Sequence, residues 1–191
     1  MGPETERLAI ASTLFTLEQK LVDTTGASPV RVRGTSTPDR YQTRGVLGEG
    51  GMGLVERVWD VDLMRELAVK RIRPALDTDA RVVAQFLWEA RVTAHLDHPN
   101  IVPLHDLGLT DEHHLYFTMR NVIGVPLDRA LDALRSGDPA MVDRLTMPRR
   151  LRIFLGVCHA VAFAHARGVV HRDLKPANVM LGDHGEVLVM D

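Results

Sequence analysis

The chain has 191 residues, of which 45% are hydrophobic and 25% charged, with a single cysteine and a formal net charge of -2. That balance fits a soluble globular protein with one core or two small ones, and it excludes disorder over most of the length. It also excludes an overall basic field for nucleic acid or an anionic membrane, and a lone cysteine excludes a disulfide framework, which fits a reducing cytoplasm.

The first residues carry Glu4 and Glu6 instead of a basic start and an apolar stretch, so no secretory signal is expected. No apolar run approaches the roughly 18 residues of a membrane span, so no membrane segment is expected in this chain. Residues 5 to 23 place Leu8, Ala11, Leu14, Leu17 and Leu21 at helical spacing, which predicts an amphipathic extension over residues 1–23. From Thr24 to Arg40 the Thr, Ser, Gly and Pro content rises and periodicity is lost, as in a flexible linker. The folded domain is expected to start near Tyr41 and to run to Asp191.

Strand patterns follow at Tyr41 to Leu47, Leu54 to Val61 and Arg65 to Ile72, implying antiparallel hairpins. Val83, Phe86, Leu87, Ala90 and Ala94 then recur at helical spacing. Two further short strands are read at Val102 to Leu109 and His114 to Met119. Beyond Pro126 the chain turns mainly helical. The strongest helix runs from Pro148 to Arg167 and carries Leu151, Phe154, Leu155, Cys158, Val161 and Ala162, with Cys158 read as a small buried hydrophobe. Strands first and helices second predict an α+β fold of two lobes, about 41–122 and about 123–191.

Three segments carry chemistry. Leu47, Gly48, Glu49, Gly50, Gly51, Met52, Gly53, Leu54 and Val55 contain G-x-G-x-x-G between two strands. A dinucleotide-binding turn would need the glycines to lead into a helix, so this context favours a flap whose backbone amides approach phosphates. Alone, the pattern also fits a hairpin without a ligand. Lys70 ends Leu67-Ala68-Val69-Lys70 on the next strand, among small and apolar neighbours where an ammonium needs a phosphate or carboxylate partner. Glu89 on the following helix could supply one; an ordinary strand lysine and a solvated helix glutamate are the plainer alternatives. The third segment is His171-Arg172-Asp173-Leu174-Lys175-Pro176-Ala177-Asn178, just after the long helix.

With all three in this order, the sequence resembles the protein kinase family, whose signature combines a glycine-rich loop, a strand lysine and this catalytic loop. The Lys175-Pro176 pair resembles the serine/threonine branch. Gly48 to Gly53, His98-Pro99-Asn100-Ile101-Val102 and Tyr116-Phe117-Thr118-Met119 look most like bacterial members of the eukaryotic type. The resemblance implies a two-lobe fold with a complete N-lobe, a five-stranded antiparallel sheet plus one helix, and the first part of a helical C-lobe.

It also implies roles. Lys70 would hold the α and β phosphates of ATP, steadied by Glu89; Asp173 would accept the proton of a Ser or Thr hydroxyl on a protein substrate; Lys175 would stabilise the γ-phosphate. Asn178 and Asp191 would ligate Mg²⁺ through oxygen, as that ion prefers. Val55, Ala68, Leu127 and Met180 match the apolar residues around adenine, Met119 the residue guarding the pocket, and Arg120, Asn121 and Val122 the hinge whose backbone meets the base. The resemblance spans Tyr41 to Asp191, where the family would continue with Phe-Gly, an activation segment and further helices. The expectations are therefore a truncated kinase domain, little or no activity from this polypeptide alone, and an apolar face at Leu151, Phe154 and Val161 open to a covering partner. A non-catalytic module that binds nucleotide or a partner is the alternative. A dinucleotide-dependent oxidoreductase explains only the glycines.

Overall fold

The computed structural model describes residues 40–190. The amphipathic segment 1–23 and Asp191 lie outside the described residues, as does the linker apart from Arg40. The described chain divides into two compact units, residues 40–88 with 106–118 and residues 89–105 with 119–190.

The first unit begins with β1 (Tyr41–Glu49), β2 (Gly53–Asp60) and β3 (Arg65–Ile72), an antiparallel meander in which Tyr41 faces Asp60 and Val55 faces Lys70. With β4 (Leu104–Leu109) and β5 (Leu115–Arg120) they form a five-stranded sheet in the order β1-β2-β3-β5-β4. Period-two alternation sends Leu67 and Val69 to one face, where they pack with Val58, Tyr116 and Tyr41. Ala68 and Lys70 therefore face the other side.

Helix α1 (Ala80–His95) starts where the Asp79 carboxylate accepts the N–H groups of Arg81 and Val82, at 2.8 and 3.4 Å. Its residues Val83, Phe86, Leu87 and Ala90 are buried, and Phe86 meets the Phe117 ring at 5.0 Å between centroids. Removing the Phe86 ring would cost about 3–5 kcal/mol. Ala94, read as part of the same stripe, is exposed.

The second unit holds α2 (Leu127–Arg135), α3 (Pro139–Arg144), α4 (Met147–His165) and a small sheet of β6 (Gly124–Pro126), β7 (Val179–Gly182) and β8 (Val187–Val189), antiparallel and in that order. One core cluster gathers Ala130, Leu145, Ile153, Val179, Leu181 and Val187, and another Leu96, Ile101, Ala160, Ala164 and Val189. The segment before β4 is stitched to β8. Asn100 Nδ2 donates to the Val187 carbonyl at 2.9 Å, Val189 N to Asn100 O at 2.8 Å, and Val102 N to Val189 O at 3.1 Å.

Helix α4 turns small residues inward. Ile153, Gly156, Ala160 and Ala164 are buried, and a methyl group on Gly156 would stand 3.1 Å from Asn100 Nδ2. Cys158 is exposed, which corrects its reading as a buried hydrophobe: it lies on the opposite side of the helix from that small-residue face. No helix among the described residues is long and apolar enough to cross a membrane.

Candidate active site

The glycine segment forms the connection between β1 and β2, closed by a hydrogen bond from Gly50 N to Gly53 O at 2.9 Å. Leu47, Glu49, Gly50 and Gly51 are exposed, and Gly48 and Met52 are half-buried. Added methyl groups at Gly48 and Gly51 would meet nothing within 4 Å, whereas one at Gly53 would stand 2.5 Å from the Arg71 carbonyl. Because Val55 pairs with Lys70 and Ala68 lies two residues before it, these three share one face of the sheet next to the glycine hairpin. The Lys70 ammonium sits 5.7 Å from the centre of the Phe117 ring, a favourable placement for a cation. Glu89 belongs to the second unit and is half-buried on α1.

In the second unit, the loop after α4 converges on Asp173. Lys175 Nζ donates to the Asp173 carboxylate at 2.7 Å, and Asn178 Nδ2 donates to the Asp173 carbonyl at 3.0 Å and to its carboxylate at 3.3 Å. The Lys175 ammonium, with help from Asn178, holds the Asp173 carboxyl below the usual carboxylate range. Asp173 and Lys175 are both exposed, so the ionised carboxylate is open to an incoming group. Arg172 has φ of 65°, left-handed for a residue with a side chain, which is strain of the kind concentrated at functional loops. The loop is anchored from below by His171 Nε2 to the Met190 carbonyl at 3.1 Å and by Met190 N to the Asn178 carbonyl at 2.9 Å.

Asn178 has its amide nitrogen engaged by Asp173, which turns its amide oxygen away from the pair. A neutral hard oxygen is donor chemistry that Mg²⁺ accepts. Among the described residues no cluster of three or more His, Cys, Asp or Glu side chains forms a metal site by itself. A cation at Asn178 would need phosphate and water oxygens for the rest of its shell.

Met119 is buried and Arg120 exposed at the end of β5, while Asn121 and Val122 are half-buried. Arg120 is held at both ends: its N–H donates to the Pro103 carbonyl at 3.1 Å, and its guanidinium to Glu186 at 2.6 Å. Glu186 also accepts the His184 N–H at 3.1 Å; its own N–H, that of His184 and then Arg120 hold its carboxyl below the usual range. The next tie runs from Asp183 N to the Ile123 carbonyl at 3.1 Å, so the β7–β8 turn braces residues 120–123. Met180 is half-buried and paired with Pro126 and Leu188, its flanking Val179 and Leu181 being in the core. Leu127 packs on that same core and lines an apolar cleft of about 280 Å³ with Leu131, Ile153, Phe154 and Leu174.

Sequence spacing marked Lys70, Asp173, Lys175, Asn178 and the glycines, but not Glu186 or Arg73. Arg73 reaches back over the glycine hairpin, and no local pattern announces a contact across that separation.

Residues 41–191 match the family described as protein kinase domain. The chain is 38% identical over 157 residues to the serine/threonine-protein kinase PknD of Protochlamydia amoebophila (strain UWE25), covering 80% of this chain and 16% of the relative. It is 35% identical over 155 residues to PknD of Chlamydia caviae, with 80% and 17% covered, so the chain spans about one sixth of the length of these relatives. Among solved structures, the PknI kinase domain of M. tuberculosis superposes with a TM-score of 0.61 at 32% identity, covering 80% of this chain and 58% of that one. A second crystal structure of the same kinase domain gives 0.60 at 30% identity, covering 85% and 62%.

Proposed function

This chain belongs to the protein kinase domain family, and from that premise we propose that it carries the ATP-binding and catalytic-loop residues of a phosphoryl transfer to Ser or Thr hydroxyls of proteins. The observation that carries the reading is the triad of Asp173, Lys175 and Asn178, an ionised carboxylate held on an open loop by one ammonium and one amide. In the reaction, the substrate hydroxyl oxygen bonds to the γ-phosphorus as the bond to the β,γ-bridging oxygen breaks. ADP leaves, and the hydroxyl proton passes to the Asp173 carboxylate.

Every other part of the site positions or neutralises. The glycine amides of Gly48 to Gly53 cover the phosphates, Lys70 and Glu89 hold the α and β phosphates, and Lys175 follows the γ-phosphate. Residues 120–122 offer backbone groups to the adenine edge, with Val55, Ala68, Met119 and Met180 enclosing the ring. Bound Mg²⁺ would neutralise phosphate charge from Asn178 and Asp191. Residues 41–122 act as the ATP lobe and 123–191 as the start of the catalytic lobe, working in the cytoplasm.

The test is equilibrium binding of ATP with Mg²⁺ to the purified chain, beside transfer to a generic protein substrate. Lys70→Ala should weaken ATP binding at least tenfold. Asp173→Asn should keep binding within about twofold and abolish any transfer, the separation expected when a residue serves only the chemical step. ATP affinity indifferent to Lys70→Ala would overturn the pocket assignment. The alternative, a module that binds nucleotide or a partner without catalysis, is favoured by the apolar side chains left open on α4, among them Leu151 and Phe154. Robust transfer by the wild-type chain would refute it.

A further inference from the structure

The glycine hairpin has little to hold it in place. Glu49, Gly50 and Gly51 are exposed, no apolar side chain of the tip enters the core, and glycine loses more backbone freedom on ordering than any other residue. One arginine crosses this tip. The β2–β3 ladder pairs Gly53 with Ile72, and the next residue, Arg73, extends it by one more bond, from its N–H to the Met52 carbonyl at 3.1 Å. The Arg73 guanidinium donates to the Gly50 carbonyl at 2.8 Å and pairs with the Glu49 carboxylate at 3.0 Å. Its Nε is buried and makes no hydrogen bond. A single residue thus holds Glu49, Gly50 and Met52, on both sides of Gly51.

We propose that Arg73 is a positioning residue that clasps the glycine flap over the phosphates and neutralises Glu49, the one acidic side chain the flap carries toward a polyanionic ligand. The clasp rests on the nucleotide reading above for its purpose, though not for its geometry. Two physical effects follow from one side chain. Bonding to the Gly50 carbonyl orders the segment whose amides must point at phosphate oxygens, so part of the ordering is complete before the ligand arrives. Pairing with Glu49 removes a like-charge repulsion that would otherwise grow with the number of phosphates. The exposed ion pair adds little to global stability, so its influence belongs to the flap.

The sites around it do not substitute for this residue. Lys70 faces the sheet interior beside Phe117, and Arg71 is engaged by Glu56 at 2.7 Å. Arg73 is the cation that joins the two ends of the glycine tip, and both of its side-chain contacts leave from one guanidinium nitrogen, Nη2.

The experiment uses the full chain with Arg73→Ala, Arg73→Lys and Glu49→Gln. In the nucleotide-free protein, hydrogen exchange of residues 49–53 should accelerate about tenfold in Arg73→Ala, the factor carried by one charge-assisted hydrogen bond. Exchange across β4 and β5 should not change, Arg73→Lys should fall between, and Glu49→Gln should change exchange less than Arg73→Ala. Flap exchange equal to wild type in both Arg73 variants would overturn the clasp. In binding, Arg73→Ala should weaken ATP about tenfold and leave adenosine within about twofold, the separation expected of a group that acts on the phosphates alone. Equal losses for both would show a general structural role and overturn the phosphate-positioning one. If the wild-type chain binds no ATP, the nucleotide reading and the phosphate half of this inference fall together. The exchange measurement then still decides whether Arg73 orders the hairpin.

Discussion

Asp173 and Lys175 stand two positions apart, with the ammonium of one 2.7 Å from the carboxylate of the other, both open to solvent. A pair so exposed contributes to the state of a proton more than to the stability of the fold. Asp173 titrates below the usual carboxylate range, first because Lys175 hydrogen-bonds to it and then because Asn178 does. The sign is that of a depressed acid: the carboxylate is fully ionised at neutral pH, and its charge is lost only as pH falls through the depressed value. Carbon-detected NMR titration of Asp173 should therefore show a midpoint that rises when Lys175 is replaced by Met. A midpoint unmoved by Lys175→Met would mean that the pair does not control the candidate base.

Arg40 and Asp60 form a two-pronged ion pair in the first unit, with parallel bonds of 3.0 Å to a carboxylate whose side chain is fully buried. Asp60 also accepts the N–H groups of Asp62 and Leu63, at 3.2 and 3.4 Å. Arg40→Ala leaves that carboxylate buried with only the backbone donors, which should lower unfolding free energy by about 3 kcal/mol in urea titration. Arg40 holds the Asp60 carboxyl below its ordinary range. Its contribution is therefore present above the unfolded-state value and declines as pH falls through the folded one, so the gap between wild type and Arg40→Ala should narrow in acid. A gap that widens on acidification would contradict the assignment.

The parts of this protein legible in its sequence are those whose physics is local. The strand pattern at Arg65 to Ile72 and the glycine cluster before Leu54 mark β3 and the hairpin, and Asp173, Lys175 and Asn178 are readable because one short loop holds all three. Two kinds of feature were not. Strand β6 and helix α3 are short and depend on tertiary partners or caps, β6 on β7 and α3 on the Asp138 carboxylate that accepts the Met141 N–H. The buried side of α4 was hidden for another reason. The helix is apolar around much of its circumference, and its core side is chosen by Gly156, Ala160 and Ala164, which let β8 and Asn100 approach, while the larger Leu151 and Phe154 remain outside. The ion pairs of Arg40, Arg73 and Arg120 join residues far apart in sequence, where spacing carries no signal.

The glycines of the hairpin separate into those the fold needs and those only a ligand would need. A methyl at Gly53 would stand 2.5 Å from the Arg71 carbonyl, a backbone atom that cannot swing away, whereas Gly51 has open space around it. Gly53→Ala should therefore disturb the β2–β3 ladder and lower the melting temperature by several degrees, the shift that about 1–2 kcal/mol produces in a domain of this size. Gly51→Ala should leave melting unchanged and weaken ATP, because its methyl would stand between backbone amides and phosphate. Equal melting losses at both positions would mean that the free hairpin is packed more tightly at Gly51 than its open surroundings indicate.

The outer side of α4 carries Leu151, Phe154 and Leu155 at 56, 65 and 52% exposure, and Phe154 also borders the apolar cleft that Leu174 and Pro176 line. Each of these side chains leaves most of its apolar surface in water, and burying it against another molecule would gain on the order of 25 cal/mol per Å². The helix is basic at this end, with Arg149, Arg150 and Arg152 in its first turns, which limits stacking of identical faces but does not remove the apolar drive. The chain should therefore self-associate with a weak dependence on temperature near ambient and a stronger tendency at high salt, where the arginines are screened. Phe154→Ser with Leu151→Gln should shift the sedimentation profile toward monomer. The melting temperature should be preserved within about 2 °C, because neither residue belongs to the buried face formed by Ile153, Gly156 and Ala160. A double variant that unfolds would place these side chains in the core of the protein in solution, and one that stays associated would move the contact surface away from α4.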